Sequence, residues 1–240
     1  MKQRIWELDA FRGICILGMV IVHLIYDMVD LYRLVDWQYP ATFVFVKNWG
    51  GILFLVLSGV CATLGSHCIK RGAVVFGCGM ICTVVTYGMV ALELTGEGMA
   101  IWFGVLHCLG VCMLLWALCK RLPSWVIALL GIGCVAAGFY IADLRVSFSW
   151  LIPLGLVTKA FVSPDYFPLL PNLGYFLLGA VLGRLVYRRK TTLFPRVNPK
   201  FLPLRFLCAC GRHSLWIYLL HQPVLSAIFF AVIQLQGGNL

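Results

Sequence analysis

Residues 7–32 read ELDAFRGICILGMVIVHLIYDMVDLY. From Ala10 onward the side chains are apolar for about the length that a helix rising ~1.5 Å per residue needs to cross ~30 Å of hydrocarbon. Beyond Arg12 at its start, His23 and Asp27 interrupt the run and Asp30 lies near its far end. A charged side chain at the centre of a bilayer costs about 3 kcal/mol even on lenient scales. These groups must therefore face the interior of a helix bundle or a wet cavity. His23 and Asp27, four apart, share a helix face, and Asp30, seven from His23, lies on the same side.

The rest of the chain agrees with that reading. Its 240 residues are 62% hydrophobic and 12% charged, with a mean hydropathy of +0.94. A soluble fold has no interior large enough for so much apolar surface. The first run has no small-residue cleavage site and carries charge on both flanks, so it reads as a retained helix, not a signal peptide. Further apolar spans lie near 43–64, 73–92, 101–118, 124–142, 172–187 and 214–235. The expected fold is all-α: a polytopic membrane bundle of about seven transmembrane helices, forming one domain over 1–240. A stretch near 146–170, broken by Pro164 and Pro168, is expected to be re-entrant or interfacial.

A net charge of +10 raises the question of a nucleic-acid partner. Topology explains it instead. Lys2, Arg4, Arg12, Lys70, Arg71, Lys120, Arg121 and eight basic residues of the 184–212 linker fall on one side, fifteen in all. Arg33, Lys47, Arg145 and Lys159 fall on the other, as do Asp36, Glu93, Glu97 and Asp165. Cytoplasmic loops concentrate Lys and Arg, which puts the N-terminus in the cytoplasm and leaves no role for nucleic acid. Within the linker, NPKFLPLRFLCACG reads as an interfacial amphipathic lead-in to the last helix. The chain shows no internal repeat of the kind that marks many transporters.

Eleven cysteines lie mostly in apolar runs, with Cys78/Cys82 and Cys108/Cys112 each four apart. Without a CxxC or Cys/His cluster they read as small packing residues, and no metal site is expected.

The remaining polar groups gather in the outer half of the bundle. His107 lies one to two turns in from the outer end of the fourth span. Ser214, Tyr218 and His221 line one face of the last span, and Pro223 should free a carbonyl near them. Each histidine has a plain alternative as a helix-packing hydrogen bonder, but their common depth favours a shared polar cavity. Asn48 and Trp49 sit near the outer surface, where Trp49 also suits an aromatic belt. Ser58-Gly59 reads as a close-packing site. Asp9 and Arg12 are spaced to pair at the inner end of the first helix.

Five segments carry a resemblance. RIWELDAFRGICILGMVIVH (4–23) resembles the R-x4-D-x2-R-G-x9-H opening of transmembrane acyltransferases. LFLVLSG (53–59), FGVLHCLG (103–110), PNLGYFLLGAVLGR (171–184) and GRHSLWIYLLHQPVL (211–225) are similar to later motifs of the heparan-alpha-glucosaminide N-acetyltransferase catalytic-domain family, in its short bacterial form. The resemblance implies a bacterial inner-membrane enzyme that moves an acetyl group from cytosolic acetyl-CoA to an amine or hydroxyl of an extracytoplasmic sugar or glycan. A homodimer is implied only by likeness to larger members. His23 would act as general base oriented by Asp27, with His107 and His221 beside it. Arg12, Arg184, Arg188, Arg212, His213, Ser214 and Tyr218 would hold the CoA. Asp30, Asn48, Trp49 and Asn172 would receive the acceptor, with His107 or Asn172 steadying the thioester oxygen. The competing reading is a proton-coupled transporter or flippase using the same intramembrane His and Asp residues.

Overall fold

The computed structural model describes residues 5–199 and 201–235, with Glu97 described in its backbone only. Lys2, Arg4 and Lys200 of the charge pattern lie outside the described residues, as does the Glu97 side chain. About 71% of the chain is helical, and among the described residues there is no strand beyond one isolated bridge, Arg145 to Val157.

Eight helices follow in chain order: α1 Trp6–Tyr26, α2 Ala41–Leu64, α3 Cys68–Ala91, α4 Val105–Cys119, α5 Ser124–Ile141, α6 Leu169–Val186, α7 Leu202–Arg212 and α8 Ser214–Leu235. Prolines set several starts. Pro123 and Pro168 precede α5 and α6 in extended conformation, and the Pro40 carbonyl accepts the amides of Phe43 and Val44 at the head of α2. Pro223 sits inside α8, which stays helical through it. α1 does not end at Tyr26 but widens into a π turn, Asp27–Leu31. Counting α1 with that turn, six helices have the length and apolar character to cross a membrane.

The fourth expected span differs. α4 has 15 residues and starts at Val105, not near 101. Its rise of ~22 Å falls short of a full crossing. The reason is the backbone before it, residues 100–104, whose polar groups bond to side chains and loop amides instead of to a helix ladder. Non-helical backbone is tolerated at membrane depth only where protein satisfies it.

The chain divides into two compact units, residues 1–54 with 191–240, and residues 55–190, with α2 passing from one into the other. In the first unit α7 lies on α1. Gly13 and Gly211 permit this: a Cβ on Gly13 would strike the Leu207 carbonyl, and one on Gly211 the Asp9 carbonyl. The segment expected to be an interfacial lead-in is thus a helix docked backbone to backbone, with Cys208 and Cys210 buried. Glu7 holds the incoming linker, accepting from the Thr192 hydroxyl and the Leu193 amide, each at 2.8 Å. Among the described residues no ion pair joins Asp9 to Arg12; Asp9 lies against α7.

In the second unit α3 pairs with α4, and α6 packs against α5 and α4. Gly59 of α2 faces the Phe176 carbonyl of α6, and Gly179 of α6 faces the Val56 carbonyl of α2. Ser58-Gly59 is therefore the close-packing site its composition indicated. Arg184 ties together the end of this unit at the α4–α5 turn. Its guanidinium donates to the Leu122 carbonyl at 2.7 Å and to the Lys120 carbonyl at 2.5 Å, and lies 5.0 Å from the Trp116 ring centre. Because both hydrogen bonds lie at a solvent-exposed edge, they and the cation–π contact together are worth about 2 kcal/mol, well below their buried values. Arg184→Ala should lower stability by that amount, readable as a drop in the thermal midpoint in detergent, whereas Arg189→Ala should not.

The 146–170 stretch forms neither a span nor a re-entrant helix. It is a turn-rich cap with a short 3-10 turn, Ile152–Leu154, a left-handed Gly155 (φ 116°), and a bond from the Tyr166 hydroxyl to the Ile152 carbonyl at 2.7 Å.

Candidate functional site

In the first unit the end of α1, its π turn and α8 bring four of the expected residues together: His23, Asp27, Tyr218 and His221. The rings of His23 and His221 meet edge-on, 4.9 Å between centres. Tyr218, one turn before His221, adds its ring at 5.5 Å. Asp27 is buried, 1% exposed, and its Oδ2 accepts from Gln222 Nε2 at 2.8 Å. The shared face read from spacing is real, but the expected partner is wrong. Among the described residues no hydrogen bond or ion pair joins Asp27 to His23. Asp27 turns to Gln222 where the α-helix opens into the π turn, and His23 faces His221. Gln222 was missed, although an amide in mid-span beside His221 is itself a signal.

The His221 bonding fixes its tautomer. Nδ1 lies 2.5 Å from the Tyr218 carbonyl oxygen. A carbonyl carries no proton, so Nδ1 must donate, and the lone pair of the neutral ring is on Nε2. That Nε2 is buried without a partner, as is the Gln222 carbonyl oxygen. Two orphaned acceptors beside a buried carboxylate mark a polar site that awaits donors. The carbonyl used is Tyr218's, not that of Leu219, which Pro223 leaves without its usual donor.

At the connection from α1 to α2, Asp30 accepts from the Tyr39 hydroxyl at 2.6 Å, and Tyr39 stacks on Phe43 at 4.6 Å. The Lys47 ammonium lies 5.2 Å from the Tyr26 ring centre and 5.8 Å from that of Tyr39. Loss of hydration and the Asp30 carboxylate hold the Tyr39 hydroxyl up to about 12, from an ordinary 10.0. With the folded value raised, this contact is intact below about pH 10 and disappears as pH climbs through about 12. Difference absorbance between the natural chain and Tyr39→Phe should show the late tyrosinate step. Asn48 and Trp49 are exposed, with Trp49 stacked on Phe45 at 5.9 Å. At the other end, Arg212 and His213 are exposed at the α7–α8 turn, Ser214 opens α8, and Arg12 is half-buried.

In the second unit His107 is fully engaged. Its Nδ1 accepts the Gly104 amide at 3.2 Å, which puts the proton on Nε2, 3.2 Å from Thr83 Oγ1. The Thr83 hydroxyl donates in turn to the Ile101 carbonyl at 2.7 Å. Around it, Ile101 donates to Thr86 Oγ1, Val105 to Asp165 Oδ2, and Phe167 to the Phe103 carbonyl. His107 is thus the side chain that starts α4. Asn172 is buried and donates to the Pro168 carbonyl at 2.7 Å, securing the entry of α6. At the Arg184 end of this unit a pocket of about 320 Å³ is lined by Thr63, Gly183, Arg184, Tyr187, Arg188 and Lys190, among others. The Arg184 fork is occupied as described. Arg188 and Lys190 have no carboxylate partner among the described residues, so this pocket is a cationic recess suited to phosphate.

Neither a curated protein nor a solved structure matches the chain. A family model does, that of heparan-alpha-glucosaminide N-acetyltransferase, catalytic, over residues 4–223. The match takes in the His23 turn, the α4 entry and the His221–Gln222 pair in one continuous stretch. The chain belongs to the heparan-alpha-glucosaminide N-acetyltransferase catalytic family, and with its apolar helices it is an integral membrane protein of an acetyltransferase family.

Proposed function

We propose that the chain transfers the acetyl group of cytosolic acetyl-CoA to an amine or hydroxyl of a sugar or glycan on the far side of a bacterial inner membrane. The observation that carries the mechanism is the His23–His221 contact, with His221 Nε2 buried, unpartnered and held as an acceptor by the Nδ1–Tyr218 bond. His23 is the general base. It takes the proton of the acceptor as the nucleophile attacks the thioester carbonyl and the carbon–sulfur bond breaks. His221 fills the orienting place that spacing had given to Asp27, because its Nε2 can accept the N–H of His23 and share the imidazolium charge. Asp27, bonded to Gln222, supplies the negative charge that stabilises that cation.

The second unit, taken by itself, carries a cationic recess where Arg188 and Lys190 suit a phosphate and Arg184 builds the wall. Arg12, Arg212, His213 and Ser214 form the cationic face of the first unit, with the start of α8 at the half-buried Ser214. Asp30, Asn48 and Trp49 remain the acceptor-facing set. Asn172 and His107 serve the entries of α6 and α4, since their donors are engaged there.

The test uses the purified full chain in nanodiscs with radiolabelled acetyl-CoA and a panel of amino and neutral sugars. The expected result is label transfer to one class and release of free CoA thiol. A chain that neither binds nor turns over acetyl-CoA, yet moves protons across sealed vesicles in a His23-dependent way, would overturn the proposal in favour of a transporter.

A further inference from the structure

The turn-rich cap of the second unit encloses a cleft that the acetyl-transfer reading does not use. It has a volume of about 470 Å³, within the range of small-ligand sites. Its walls are mainly apolar, from Ile141 and Ala142 at the end of α5, Val157 and Phe161 in the cap, and Leu170 and Pro171 at the start of α6.

The polar groups on its lining are nearly all spent. Ser163 Oγ donates to the Ala100 carbonyl and accepts the Trp102 amide, and the Tyr166 hydroxyl is bonded to Ile152. Arg145 is the exception. One guanidinium nitrogen caps α5 through the Ala142 and Leu144 carbonyls at 2.9 and 3.0 Å, which fixes the group in place. Its other nitrogens carry no partner among the described residues. The cleft therefore presents one pinned cationic edge above an apolar trough. A sugar, with hydroxyls all round, would leave most of them unpaired there.

The surroundings say where the ligand comes from. Tyr140 is 81% exposed and Trp150 73%, with Phe139 and Phe148 exposed beside them. Phe148 and Trp150 stack at 5.2 Å. Exposed aromatic side chains gathered where a membrane-length helix ends mark the level of the bilayer interface. A cleft opening there meets lipid headgroups before it meets anything dissolved.

We infer that this cleft is a binding site for an anionic membrane lipid, its phosphate on the free edge of Arg145 and its upper acyl segment on the wall of α5 and Pro171. The site is separate from the acetyl-transfer chemistry and stands whether or not that reading holds.

The experiment is native mass spectrometry of the full chain released from nanodiscs containing equal phosphatidylglycerol and phosphatidylcholine. The natural chain should retain phosphatidylglycerol at least about fivefold over phosphatidylcholine. Arg145→Gln, whose side-chain amide can still donate to the Ala142 carbonyl, should remove that preference while the chain stays folded, at a modestly lower thermal midpoint. Ala142→Phe, which keeps Arg145 and fills the trough, should lower retention of phosphatidylglycerol about tenfold. Glycerol phosphate in millimolar excess should not displace the lipid. Equal retention of the two lipids by the natural chain, an unchanged preference in Arg145→Gln, full retention by Ala142→Phe, or displacement by glycerol phosphate would each overturn the inference.

Discussion

Acetyl transfer by the His23→Ala chain is expected to fall by a factor of about 10² to 10⁴, the span a positioned general base contributes. His221→Ala should cost less, about tenfold to a hundredfold, because it removes the orienting acceptor and not the base. The two losses should not multiply. Once His23 is gone, His221 has nothing to orient, so the double variant should match His23→Ala alone. A variant at Asp27 separates charge from hydrogen bonding. Asp27→Asn keeps a partner for Gln222 but drops the anion that favours the imidazolium, and should shift the acidic limb of the rate–pH profile to lower pH. Equal activity of His23→Ala and the natural chain, at unchanged thermal midpoint, would remove His23 from the chemistry.

The second large effect concerns folding. Gly211→Ala should cost at least about 3 kcal/mol, above the usual overpacking penalty of 1–3 kcal/mol. The added Cβ meets the Asp9 carbonyl, and the Gly13 amide lies just beyond it, so backbone must move on both helices. Gly18, also on α1, is the internal control: a Cβ there meets nothing within 4 Å. Gly18→Ala should be neutral or stabilise α1 by up to about 1 kcal/mol. Limited proteolysis at the 187–201 linker reads the difference, since loss of the α7–α1 seat releases the segment that Glu7 holds. Equal cleavage rates for the two variants would show that α7 is not seated as described.

The order of the six membrane-length helices could be read from the sequence because apolar runs of that length have few other outcomes, whereas the expected seventh span is the shorter α4. The face shared by His23 and Asp27 was equally legible. What spacing cannot supply is the partner across the gap, and here the π turn at Asp27 directs the carboxylate to Gln222 on a helix almost two hundred residues away. Arg184 illustrates a different limit. As a letter near the inner surface it is one more cation for a phosphate, whereas folded it is the clasp of the α4–α5 turn. The late start of α4 was invisible for a third reason. AIWFG is as apolar as the helix that follows, and hydropathy reports where a segment prefers to be, not where its amides find acceptors.

The entry of α4 has a consequence for how the protein is made. Its bonding partners come from two places along the chain: Thr83 and Thr86 before it, Ser163, Asp165 and Phe167 after it. A ribosome delivers residues 100–105 some sixty residues ahead of the second group. Until that later stretch is translated, the amides of Trp102 and Val105 have only water or the insertion machinery to bond to. α3 and α4 can pair early, but the start of α4 closes only after α5 has threaded the membrane and the cap has folded back. Nascent chains truncated before Ser163 should leave this stretch open to water-borne cysteine labelling, and chains released after Phe167 should shield it.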